Sequence, residues 1–187
     1  GQRVFRSSDD KADGAYADLG SVPMVLESFV PFEREISIIA ARAKDGTVSC
    51  YDPAENIHRN GILHTSTLPA TIPDTTAQTA RSAAEKLLAA LDYVGVIGME
   101  FFVMADGTLI ANEIAPRVHN SGHWTEAACV VSQFEQHIRA VAGASLGDPR
   151  RHSDCVMTNL IGDDILDVPG WLARTDVLVH LYGKTES

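Results

Sequence analysis

Two acidic residues, Glu100 and Glu113, stand ahead of Arg117 and a run of histidine, amide and hydroxyl side chains that ends at His123. Between the two acids lies Asp106-Gly107, a strong signal for a two-residue type I′ turn, in which both central residues need φ > 0. If Ala105 pairs with Thr108, Glu100 falls directly across from Glu113 on one face of a hairpin. Facing side chains of an antiparallel pair have Cβ atoms about 4.5–5.5 Å apart, and like charges there destabilise the sheet. A turn of three residues would instead set Glu100 against Asn112.

The carboxylates share their face with Phe102, Met104, Leu109 and Ala111, while Met99, Phe101, Val103, Ile110 and Ile114 line the other. Both faces therefore require cover, and water would screen the acids little. A shared proton or a bound cation would relieve them. Oxygen ligands in a short array suit Mg²⁺, which is commonly held by one or two carboxylates together with substrate phosphates. Such a site implies a nucleotide. The competing reading is an ordinary sheet acid paired with Lys or Arg, its neighbour turned to solvent. Arg117 leaves the second strand four residues after Glu113, in a loop where chemistry is usually placed. Its guanidinium fork suits phosphate or carboxylate oxygens.

Other elements must hold these groups in place. Glu35–Ala43 and Thr47–Tyr51 form a second expected hairpin about Asp45-Gly46. Asp74–Leu91 has helical spacing in Ala77, Ala80, Ala84, Leu87, Leu88 and Leu91, with Asp74 as N-cap. Gln133–Val141 repeats the pattern with Phe134, Ile138 and Val141 as its buried stripe, closed by Gly143. Asn56–Ser66 reads as a polar connection carrying His58 and His64. Residues 1–22 read as a short strand and then a polar helix or turn around Asp9–Ala17, and Pro23–Val30 as a short β run. Cys155–Ile161 and Val177–Tyr182 read as the opening strands of a further small domain.

The 187 residues, 45% of them apolar, suffice for a sizeable core, and the formal charge of −10 argues against nucleic acid or an anionic membrane as partner. Cys50, Cys129 and Cys155 show no metal-ligand spacing and suit buried thiols in a reducing compartment. With no apolar run of transmembrane length and no signal segment, a cytoplasmic location is expected. Without an initiating Met, and with strand-like sequence at either end, both termini read as cut.

Glu100, Asn112-Glu113 and the run Ala115-Pro116-Arg117-Val118-His119-Asn120-Ser121-Gly122-His123-Trp124 together resemble the ATP-grasp ligases. Within that superfamily they are most similar to the branch that carboxylates an aminoimidazole ribonucleotide in purine biosynthesis. The resemblance implies an α+β fold: a partial ATP-grasp domain, an antiparallel β-sheet with packed helices, and the start of a small C-terminal domain. It divides the chain into 1–26, a remnant of the lid subdomain; 27–148, the ATP-grasp C-terminal subdomain with the metal and substrate site; and 149–187, the beginning of the next domain. A glycine-rich phosphate loop would end at about Gly1-Gln2.

The same resemblance implies ATP and Mg²⁺ as cofactors, with bicarbonate and 5-aminoimidazole ribonucleotide as substrates, joined through carboxyphosphate. Glu27, Ser28, Phe29 and Val30 would read adenine and Glu35 the ribose. His58, otherwise an unremarkable loop histidine, would approach the nucleotide, as would Asn112 and Glu113. Glu100 and Glu113 would hold Mg²⁺, Arg117 would clamp bicarbonate or carboxyphosphate, and His119 and Asn120 would position the aminoimidazole. His123 and Trp124 would either join the site or pack the loop. Ala115 stands where much of the superfamily has Asn, which leaves a second Mg²⁺ with fewer ligands. A homodimer is compatible with the resemblance but not fixed by it. The chain alone is expected to be inactive, for want of the phosphate loop and of the residues beyond Ser187. Two alternatives stay open: a formate-using transformylase of the same pathway, and a non-catalytic nucleotide- or cation-binding module whose acidic pair is structural.

Overall fold

Along Arg34–Arg42 (β1) the side chains alternate so that Ile36, Ile38 and Ala40 enter one core while Ile39 and Ala41 enter another. This central strand carries both faces of a seven-stranded sheet. The computed structural model describes residues 3–7 and 9–183, which form two compact units, Gly1–Phe32 and Glu33–Ser187.

In the second unit the strands after β1 are Val48–Cys50 (β2), Ala54–Arg59 (β3), Ile62–Leu68 (β4), Gly95–Val103 (β5), Leu109–Ala115 (β6) and Cys155–Thr158 (β7). Their order is β6-β5-β1-β3-β4-β7, with β2 pairing on β1, and every pairing is antiparallel. One face is covered by helix α2, Asp74–Ala90, whose Ala80, Ala84 and Leu88 recur every four residues and meet Ile36, Ile38, Met99 and Phe101. Burying Leu88 alone contributes about 1.5–3 kcal/mol. The other face is covered over part of its length by Trp124, Ala128 and Cys129, which pack on Ile39, Ala41, Tyr51 and Val96. Helices α3, Thr125–Ala128, and α4, Gln133–Ala142, complete that layer. Among the described residues no helix is long and apolar enough to cross a membrane.

The expected hairpin about Asp45-Gly46 forms, but both Asp-Gly hairpins turn through three residues rather than two. The pairs that close them are Ala43 with Thr47 and Met104 with Thr108. Only the glycines take positive φ, 89° at Gly46 and 82° at Gly107. Each aspartate instead accepts a 2.9 Å bond from the N–H of the following threonine. That local bond favours a type I turn closed by a left-handed glycine over the type I′ geometry. The two-residue turn occurs at Asn60-Gly61, with φ of 52° and 75°. It joins β3 to β4, so Asn56–Ser66 is a hairpin and not a connection.

Other expectations are corrected. Asp74 opens α2 but does not cap it; Pro73 holds the cap position. The buried face of α4 is Gln133, Gln136 and Ala140, whereas Ile138 and Val141 are exposed. Gly143 does end that helix, with φ of 77°. Cys155–Thr158 extends the main sheet beside β4, and Val177–Tyr182 forms no strand.

In the first unit a single turn of helix, Ala15–Asp18 (α1), is tied to Arg3 by a 2.7 Å ion pair with Asp18. The β runs expected at its start and at Pro23–Val30 are absent among the described residues, because no neighbouring strand takes up their backbone groups. Gly1-Gln2, the expected end of the phosphate loop, lies outside the described residues.

Candidate active site

Glu100 interrupts the apolar run of β5 on the face that also carries Ser37 of β1, its direct partner across the ladder. Along β1 this face changes character, from Ala41 and Ile39 under the α3 layer to Ser37 and Glu35 beyond it. Glu35 lies opposite Asn56 of β3, and Asn56 opposite Ser66 of β4. A polar band thus crosses four strands on one side of the sheet.

Glu113 is the direct partner of Glu100, as expected, but by a different route. From the three-residue turn the register runs Val103 to Leu109 and Phe101 to Ala111, which on its own would bring Asn112 opposite Glu100. A bulge at Asn112 inserts one residue into β6 and restores Glu113 to that position. The expectation that both faces are dry holds for β5 alone. Glu100 is 6% exposed, whereas β6 is an edge strand that is open to solvent along most of its length and leaves the Glu113 side chain 52% exposed.

The gap between the acids holds a histidine and no lysine. His119 Nδ1 is 3.9 Å from Glu100 and Nε2 3.8 Å from Glu113. Ser121 Oγ lies 2.8 Å from Nδ1 and fixes the plane of the ring. Beneath it is Gly98, where a Cβ would come within 2.6 Å of the His119 Cβ, so the loop seats on β5 only because that residue has no side chain. From above, the fully buried Gln133 accepts from the His119 N–H at 2.9 Å and donates to its carbonyl at 2.7 Å.

The charges on this face act on one another. Burial holds the Glu100 carboxyl above its ordinary range; His58 opposes the rise, and Glu113 and Glu35 add to it. His58 is raised, chiefly by its 2.9 Å bond to Glu35 and further by Glu100 and Glu113. His119 is lowered, first by burial and also by Arg117, against the pull of Glu113. A neutral imidazole therefore lies between two carboxylates, one of them desolvated. That pair offers only oxygen ligands, with open solvent beside Glu113, and this suits a divalent ion shared with a phosphate. Among the described residues no three His, Cys, Asp or Glu side chains are arranged so that they could hold a metal ion by themselves. Buried polar atoms without a partner in the structure include Ser37 Oγ and Asn56 Nδ2 of the polar band and Asn120 Oδ1 and Trp124 Nε1 of the loop.

Of the residues picked out by sequence, Glu100, Glu113 and His119 meet in one cluster, and Glu35 and His58 are bonded on the same face. Arg117 is exposed, with one N–H bonded to the Val118 carbonyl at 3.0 Å. Asn112 is the bulge residue. Trp124 packs edge-on against Tyr51, with ring centroids 6.2 Å apart. His123 lies 2.8 Å from the Tyr182 hydroxyl. Glu27, Ser28, Phe29 and Val30 belong to the first unit, where the Arg6 guanidinium lies 5.3 Å from the Phe29 ring centroid. Ser37, Asn56, Gly98 and Gln133 carry no site signal of their own in the sequence, although Glu35-Ile36-Ser37 already shows polar residues two apart in an apolar strand.

The chain belongs to the ATP-grasp family, whose domain it matches over residues 1–134. It is 63% identical over 185 residues to the N5-carboxyaminoimidazole ribonucleotide synthase of Brucella melitensis, covering 99% of this chain and 51% of that protein. It is also similar to a crystal structure of the ADP complex of an N5-carboxyaminoimidazole ribonucleotide synthetase, with a TM-score of 0.91 and 42% identity over 98% of this chain and 48% of that one. The Aspergillus clavatus synthase in complex with ADP and 5-aminoimidazole ribonucleotide matches with a TM-score of 0.78 and 31% identity, over 83% of this chain and 43% of that one. The chain thus spans about half the length of the relatives it matches.

Proposed function

We propose that this chain supplies the metal-binding and acceptor-binding half of an N5-carboxyaminoimidazole ribonucleotide synthase. In that reaction a bicarbonate oxygen attacks the γ-phosphorus of ATP, the bond to the β,γ-bridging oxygen breaks, and ADP leaves. The exocyclic amine of 5-aminoimidazole ribonucleotide then attacks the carboxyl carbon of carboxyphosphate. Phosphate departs and the amine loses a proton. The observation that carries this reading is Glu100, desolvated and facing Glu113 with the His119 ring between them.

Glu100 and Glu113 would hold Mg²⁺, which when bound neutralises charge on the β- and γ-phosphates. Arg117, exposed on the loop beyond Glu113, is suited to gather the bicarbonate or carboxyphosphate anion, since fixed positive charge at developing negative oxygens is a large electrostatic contribution. His119 and Asn120 orient the acceptor, the former as a neutral ring that accepts or donates one hydrogen bond. Glu35 and His58 form a bonded pair fit to meet ribose hydroxyls or a phosphate oxygen, with Asn112 at the rim. Glu27, Ser28, Phe29 and Val30 are assigned to adenine by family resemblance, as are the boundaries 1–26, 27–148 and 149–187. Burial pushes the Cys50 and Cys129 thiols up to about 11 and about 12, which suits inert thiols in a reducing, cytoplasmic setting.

The test is ADP release by the intact protein in the presence of 5-aminoimidazole ribonucleotide. Release that requires bicarbonate, with ¹⁸O passing from labelled bicarbonate into phosphate, is the expected result. A requirement for formate would move the protein to the transformylases, and no acceptor-stimulated release at all would leave a binding module.

A further inference from the structure

We propose that Gln133 is a positioning residue that sets where the His119 imidazole stands between Glu100 and Glu113; this rests on the function proposed above. Gln133 is the first residue of α4 and is wholly buried. Its side-chain amide pairs with both backbone groups of His119, accepting at 2.9 Å and donating at 2.7 Å, much as a neighbouring strand would. Its own N–H donates to Thr125 Oγ1 at 3.0 Å, and the Thr125 hydroxyl donates to the Gly122 carbonyl at 2.7 Å. The start of α4 thereby grips the catalytic loop at His119 and again at Gly122.

Below the loop there is no slack. A Cβ at Gly98 would meet His119, and one at Gly122 would come within 2.7 Å of Gln133 Oε1. The peptide groups on either side of His119 are fixed by Gln133, its Cβ rests on Gly98, and its ring is oriented by Ser121. A rotation of that backbone swings the ring tip out of the gap between the acids, because the tip lies farther from the backbone than the bonds that restrain it. The Gly122 N–H also reaches the His119 carbonyl at 3.0 Å, but among the described residues Gln133 alone bonds to both backbone groups of His119.

A second buried glutamine supplies the control. Gln136, three residues on, holds Gly147 by the same pair of bonds, 2.9 Å from Nε2 to its carbonyl and 2.7 Å from its N–H to Oε1. Gly147 packs on Val131 and takes no part in the acid cluster. Gln133→Glu and Gln136→Glu each keep shape and acceptor while setting an oxygen against a carbonyl, one at the site and one away from it, where Gln136 Nε2 also donates to Ser49 Oγ at 3.2 Å.

The experiment compares both variants of the intact protein with wild type, by thermal melting, by bicarbonate-dependent ADP release and by the His119 Cε1 resonance of ¹³C-histidine-labelled protein, assigned through His119→Asn. Melting is expected to fall similarly in both. In Gln133→Glu, kcat should fall about 10- to 100-fold, the scale of a misplaced reacting geometry, with KM for ATP changed less than about twofold. The His119 resonance should move in Gln133→Glu alone, and Gln136→Glu should keep kcat within about twofold of wild type. Equal kcat losses in the two variants, or an unmoved His119 resonance in Gln133→Glu, would overturn the proposal. Should Gln133→Glu not fold, Gln133→Asn, one methylene too short to reach both groups, carries the same expectations. A wild type that releases no ADP would refute the function proposed above, while the resonance would still decide this question.

Discussion

Replacing Glu113 with Gln is expected to make the metal-free protein slightly more stable and its nucleotide–metal complex markedly less so. Glu113 faces Glu100 directly, and opposed like charges cost a cross-strand pair about 0.2–1 kcal/mol. With the Glu113 side chain 52% exposed, solvent screens the repulsion and the lower half of that range applies. His119, 3.8 Å away, does not reverse the sign, since burial lowers its pKa from 6.5 and leaves the ring neutral above pH 7. At about 2–4 °C per kcal/mol for a domain of this size, the metal-free Tm should rise by about 1–2 °C.

The bound state moves the other way. A ligand at 100 times its Kd adds about 2.7 kcal/mol to wild type, or roughly 5–10 °C. Gln offers one uncharged oxygen, and the loss should reach at least the roughly 10- to 100-fold that changes behind a metal ligand already cost. A 100-fold loss brings the same ligand concentration down to Kd, where it adds only about 0.4 kcal/mol, about 1 °C. The assay is thermal melting of the intact protein at pH 7.5 with EDTA, and then with Mg²⁺ and ADP at concentrations fixed on wild type. A variant several degrees less stable without metal, yet still shifted fully by Mg²⁺ and ADP, would show the acids to be a structural pair.

Two further outcomes follow from the same geometry. Gly98→Ala drives a Cβ to 2.6 Å from His119, so it should cost about 1–3 kcal/mol in urea unfolding, as overpacked cores do. It should also lower kcat more than Gln136→Glu does; a fully active Gly98→Ala protein would show that the loop sits elsewhere. The His58–Glu35 pair raises the folded pKa of His58 above 6.5. Its stabilisation is therefore fully present below about pH 6.5 and is lost as pH rises through the higher folded value. Urea midpoints of wild type and His58→Gln should converge from pH 6 towards pH 9, and a gap independent of pH would mean that the pair is not ionised.

The facing of Glu100 and Glu113 was legible in the sequence, although the geometry that produces it was not. Asp106-Gly107 marks a hairpin, but whether the aspartate adopts a left-handed conformation or bonds to Thr108 decides between two and three turn residues, and those energies nearly balance. The bulge at Asn112 leaves no mark in composition. Counting from a two-residue turn reached the observed pairing only because one extra residue in the turn and one in β6 offset each other. At Asn60-Gly61 the turn signal is masked by the polar residues around it, of which Asn56 and Ser66 belong to the polar band and His58 bonds to Glu35.

Helix α4 shows the same confusion in reverse. Phe134, Ile138 and Val141 have the spacing of a buried stripe, yet the helix buries Gln133 and Gln136, whose amides are used on His119 and Gly147. An apolar side chain at Gln133 would leave the N–H of the buried His119 unpaired, at about 1–3 kcal/mol. Hydrophobic periodicity reports where water is excluded only when the neighbours being covered are side chains. Where the element beneath is irregular backbone, as in the loop bearing His119, the residues that bury best are those that can hydrogen-bond, and amphipathic spacing then points to the wrong face. Two inward glutamines three residues apart at the start of a helix, just after a polar loop, are thus a sequence sign of a helix that holds a loop in place.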